Sequence, residues 1–64
     1  MKPWQQRVCD EKDALQKKII ELEHFMWTEV FRSLPAEEQA DLRNQKDAMI
    51  EYRDTLSRRI RRFK

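Results

Sequence analysis

Gln45, Tyr52 and Arg59 follow one another at seven-residue spacing, so on a helix they share one edge. An amide, a phenol and a guanidinium in a row have a definite chemistry. The guanidinium fork grips phosphate or carboxylate, the tyrosine ring offers a stacking plane, and the amide reads the edge of a heterocycle. Such a row suits a planar anionic ligand of the nucleotide kind. It has a purely structural use as well, because polar side chains in a helix seam fix register and partner choice at some cost in stability.

The elements that carry the row are two helices. Leu42, Met49, Leu56 and Phe63 also recur every seven residues, three positions before the polar row, and mark an apolar seam. In the first half Trp4, Val8, Leu15, Ile19, Leu22 and Met26 fall on one stripe of a helix. Pro3 and Pro35 suit first helical turns, where a missing N–H costs nothing. The stretch F-R-S-L-P-A-E-E-Q therefore breaks the chain once, with Glu37 and Glu38 complementing the positive end of a new helix. The spacing predicts helix 1 from about Trp4 to Arg32, a turn over 33–35, and helix 2 from about Pro35 to Arg62. So short a link folds them into an antiparallel two-helix hairpin, an all-α protein of one domain over residues 1–64.

Folding back at Leu34–Pro35 brings together residues whose numbers sum to about 70. Leu56 then faces Leu15, while Arg59 comes near Glu11, Tyr52 near Lys18, and Gln45 near Phe25. Glu11–Arg59 would be a charge-assisted pair. As a ligand site the candidates are Lys18, Gln45, Tyr52 and Arg59, with Arg7 and Arg58 as nearby phosphate contacts.

A chain of 64 residues buries only roughly 60% of its unfolded surface, so a lone hairpin is marginally stable. One cysteine allows no internal disulfide, which leaves self-association as the source of further stability. A second apolar face supports that expectation. Cys9, Ile20, Trp27 and Phe31 project nearly opposite the first stripe, and a helix apolar on both sides is normally buried on both. Ile20, Trp27 and Phe31, with Ile50 of helix 2, are the expected oligomer interface. A four-helix-bundle dimer is the smallest assembly that buries them; a higher oligomer is the other. The same Trp27/Phe31 face is alternatively a docking surface for another protein.

Charge and composition narrow the function classes. No segment is apolar enough for a signal peptide or a membrane span, so a cytoplasmic protein is expected. The net charge of +2 hides an asymmetry, with +5 on residues 55–64 and −3 on the rest. That basic tip, S-R-R-I-R-R-F-K, resembles a nucleic-acid-binding tail, but helix C-termini favour cations in any case. Glu21 and His24 have the Glu-x-x-His spacing of di-iron bundles, yet they point away from the seam and the chain has a single histidine. Without glycine there is no phosphate loop, and Cys9 has no base beside it in sequence. No catalytic constellation emerges; neither enzyme activity, nor a cofactor, nor a metal is expected.

The order W-Q-x-R-V, L…L-E-x-F, F-x-x-L-P and L-x-x-Q-x-x-x-M-x-x-Y-x-x-x-L-x-x-R-I resembles small bacteriophage proteins related to a gene product of crAss-like phages. Trp4, Gln5, Arg7, Val8, Leu15, Leu22, Phe25, Phe31, Leu34, Leu42, Gln45, Met49, Tyr52, Leu56, Arg59 and Ile60 carry it, across nearly the whole chain. Asp41-Leu42-Arg43 stands where members often have a more apolar pair. The resemblance implies phage origin and a helical fold. By analogy with small helical phage proteins that assemble into oligomers, it also implies counter-defence by holding a nucleotide immune signal of the host in its cytoplasm. A host or phage protein is the alternative partner.

Overall fold

The computed structural model describes residues 1–63 of the chain. Lys64, the last base of the basic tip, lies outside the described residues. Three helices follow in order: α1 (Pro3–Met26), α2 (Glu29–Ser33) and α3 (Ala36–Arg61). α1 and α3 run antiparallel as the two arms of a hairpin, and α2 forms its elbow. The molecule is a rod of 47 × 14 × 13 Å. A rod that is one helix pair thick has a single seam to bury, so among the described residues no element covers the back of either arm.

That geometry explains how small the core is. Val8, Leu15, Ile19 and Leu56 form its buried cluster, with Ile19 and Leu56 sealed almost completely. Met49, Ile50, Ile60 and Phe63 pack against it from partly exposed positions. Full burial of a Leu or Ile side chain contributes roughly 1.5–3 kcal/mol, so these few residues hold the arms together. At the open end Trp4 meets Phe63 edge to face, ring centroids 5.1 Å apart, a favoured arrangement of aromatic quadrupoles. Trp4 nevertheless keeps 44% of its surface exposed. Gln5 is an unexpected member of the interior. Its Oε1 accepts the backbone N–H of Lys2 at 2.9 Å, closing the first turn behind Pro3.

The helix expected to continue to Arg32 stops at Met26. Thr28 is the cause. Its hydroxyl donates to the Phe25 carbonyl at 2.6 Å and accepts the Phe31 N–H at 3.2 Å. A threonine that bonds its own neighbourhood competes with the helical ladder and caps a new helix instead. Glu29 then sits in the first turn of α2, where its charge meets the positive helix end. The break also rotates the apolar faces. Phe31, expected on the outer face beside Trp27, is turned inward to 4% exposure while Trp27 stays 80% exposed. Ile50, also expected on the outside, lends part of its surface to the chain's own core. No helix among the described residues is long and apolar enough to cross a membrane.

Candidate functional site

Two groups of polar and aromatic residues stand apart from the core: the row along the edge of the seam, and a cleft at the elbow.

The row follows the helical edge expected for it, but its pairing differs. The Glu11 carboxylate, which the fold-back register assigns to Arg59, accepts a hydrogen bond from the Tyr52 hydroxyl instead. Trp4–Phe63 and a bond of 3.0 Å from Arg53 Nη1 to Gln16 Oε1 keep the general register. Tyrosine is long enough to reach across to α1, and its hydroxyl is the donor Glu11 receives. The bond holds the phenol in its neutral form. Its pKa is raised above the ordinary 10.0, first by this hydrogen bond, then by desolvation and by the Glu11 charge, while Arg59 pulls it down. Arg59 is thus near enough to be felt by Tyr52 but carries no ion pair among the described residues.

The other candidates are spread along the rod. Gln45 turns along its own helix, its Nε2 4.0 Å from the Met49 sulfur. Arg58 Nη2 donates to Thr55 Oγ1 at 2.9 Å. Lys18 and Arg7 are exposed. Within one chain, then, Tyr52, Glu11 and Arg59 are brought together, whereas among the described residues no hydrogen bond or ion pair joins Gln45, Lys18, Arg7 or Arg58 to them. Arg53, paired with Gln16 and with Asp54 at 3.1 Å, was not anticipated; nothing in its spacing distinguishes it from a solvated arginine.

The elbow is built differently. Arg32 Nη1 donates to the Trp27 carbonyl at 3.1 Å, and Gln39 Nε2 reaches back from α3 to the carbonyls of Leu34 and Arg32 at 2.9 and 3.2 Å. These bonds tie α2 to the start of α3. Phe31 packs edge-on against Phe25, 6.1 Å between centroids, and the Arg43 guanidinium lies 5.5 Å above its ring, within cation–π range. Beside this stack a cleft of about 380 Å³ opens, lined by Glu23, Met26, Trp27, Phe31, Arg43 and Lys46. Reading α1 as unbroken to Arg32 conceals it, because Trp27 and Phe31 then share one outer face. The sequence does hold a signal, T-E-V-F, a threonine cap with an acid behind it. Among the described residues no three His, Cys, Asp or Glu side chains gather as metal ligands do.

Fold and faces together define a small all-α hairpin protein with a polar row along one edge of its seam and an aromatic cleft at its elbow. The model of the Sequestin family matches residues 2–62, and the chain belongs to that family. Neither curated proteins nor solved structures yield a match.

Proposed function

We propose that this chain is a non-enzymatic accessory protein of a bacteriophage that sequesters an anionic nucleotide signal of the host, acting as a homo-oligomer in counter-defence. The observation that carries the reading is the Tyr52–Glu11–Arg59 grouping on an open edge of the seam. Tyr52, 45% exposed, and the Arg59 guanidinium, without an ion pair among the described residues, leave a stacking plane and an anion contact available near each other. The family's name, which speaks of sequestering, agrees with a protein that holds a molecule without transforming it. The phage connection rests on the resemblance in sequence. When hairpins associate through the face that carries the exposed Ile20, the edge becomes one wall of a pocket, with Lys18 and Gln45 along it and Arg7 and Arg58 at its basic end.

Isothermal titration against a panel of cyclic nucleotides, with the molar mass measured in solution, tests this. At least one nucleotide binds the wild-type oligomer, and Arg59→Ala weakens it by about tenfold, the loss of one charge-assisted contact. Binding of no nucleotide in the panel removes the reading. A second reading is favoured by Trp27 and Val30, exposed at 80% and 61%: a protein-docking module centred on the elbow. Trp27→Ala then abolishes capture of a protein partner with the oligomer intact.

A further inference from the structure

The elbow cleft holds a combination of groups that the fold does not use. Its floor, Phe31, is buried, but its wall, Trp27, is 80% exposed and yet is not a loose side chain on a loose loop. The Trp27 backbone is pinned on both sides, its N–H bonded to the His24 carbonyl at 3.1 Å and its own carbonyl to Arg32. The Arg43 guanidinium lies over Phe31, its central carbon 5.5 Å from the ring centroid, and makes no ion pair among the described residues. Lys46 lies one turn further on the same helix and also lines the cleft. Among the described residues neither base is ion-paired, and Glu23, the one acid in the lining, is unpaired as well.

From these placements we propose that the elbow cleft is a separate binding site for a flat aromatic heterocycle joined to a single phosphate, the chemistry of a nucleoside monophosphate unit. The inference rests on the sequestering reading above and adds a second place of contact to it. The heterocycle stacks on the exposed Trp27 indole, as bases do on aromatic platforms. The phosphate meets Arg43 and Lys46, two cations of the cleft lining with no ion pair among the described residues. Glu23 opposes a second phosphate and accepts a hydrogen bond from an amino edge of the ring. The volume of about 380 Å³ lies at the small end of ligand pockets, matching one ring and one charged group rather than a larger dinucleotide enclosed whole.

Trp27 is its own reporter. In a Trp4→Phe background, which leaves it the sole tryptophan, adenosine monophosphate is titrated while indole emission is followed, with adenosine and inorganic phosphate as separate arms. The monophosphate quenches Trp27 saturably and binds about tenfold or more tighter than adenosine. Arg43→Gln collapses that ratio toward one while far-ultraviolet circular dichroism stays unchanged. Trp27→Ala, followed by calorimetry, weakens binding about tenfold. Quenching that survives Arg59→Ala supports the elbow as a site distinct from the row. Four outcomes overturn the inference: no quenching, quenching by phosphate alone at the same concentrations, an Arg43→Gln ratio equal to wild type, or a Trp27→Ala protein whose molar mass falls to the monomer. If calorimetry nevertheless finds cyclic nucleotides bound with Trp27 silent, the proposed function stands and only the elbow site fails.

Discussion

The seam and the elbow use the same kinds of residue to opposite ends. Along the seam, polar side chains are spent on one another: Tyr52 on Glu11, Arg53 on Gln16 and Asp54. At the elbow the backbone is what the polar side chains satisfy, with Thr28, Arg32, Ser33 and Gln39 all bonded to carbonyls or amides of the bend. The backbone of the bend is therefore held by side chains, while the exposed Trp27 and, without ion pairs among the described residues, Arg43, Lys46 and Glu23 line a cleft. A helix pair satisfies its backbone internally and needs side chains only to choose its register. A bend must satisfy its backbone from side chains, and in doing so it projects the next residues into open space.

The sharpest way to break the comparison is to remove the seam. Leu56 has no exposed surface, and it packs in the cluster with Val8, Leu15 and Ile19. Leu56→Ala costs about 2–5 kcal/mol by lost burial and the cavity left behind. In a domain with so few sealed side chains that is enough to unfold the isolated hairpin. Chemical denaturation followed by circular dichroism checks it, and a variant that keeps the wild-type midpoint would mean that the stability resides elsewhere, in the elbow or between chains. A smaller loss is expected at the bend. Thr28→Ala removes the cap of α2 at a cost of about 1 kcal/mol. Its more telling effect is local: amide exchange quickens over residues 27–33 while α1 and α3 retain their protection. Slowed or unchanged exchange at the bend would show that Arg32 and Gln39 alone hold it.

Much of the seam was legible in the sequence because its cause is periodic. Leu15, Ile19 and Leu56 recur at helical spacing, and the only physics needed to place them is that apolar surface leaves water. The all-α hairpin follows from that stripe and from Pro35. What escaped was aperiodic. Thr28 ends α1 through two hydrogen bonds of a single hydroxyl, and no repeat announces it. Without the break, spacing puts Phe31 on the outer face with Trp27 as an oligomer contact, which leaves no place for the cleft beside it. Spacing sets the polar row along one edge of a helix, but its pairing depends on the reach of side chains. Spacing puts Arg59 level with Glu11; only the length and donor hydroxyl of Tyr52 give that carboxylate to the phenol.

The smallest effect distinguishes a row spent on register from one available to a ligand, and Tyr52 supplies the measurement, being the chain's one tyrosine. Its folded pKa lies above the ordinary 10.0 because the neutral hydroxyl donates to Glu11. Between the unfolded and folded values the folded chain binds more protons than the unfolded one, so stability falls as pH rises there. The contribution of the hydrogen bond is therefore fully present below about pH 10. It is lost as the pH climbs through the raised value. Tyr52→Phe removes that dependence, and the difference between wild-type and variant stabilities shrinks across this alkaline window. Tyrosinate absorbance follows the same event directly. Arg59 opposes the shift, so Arg59→Ala moves the titration to still higher pH, whereas a bound anion that occupies Arg59 moves it in the same direction in the wild type. A ligand that binds without moving the tyrosinate titration does not engage the row, and its contacts must then be sought at the elbow.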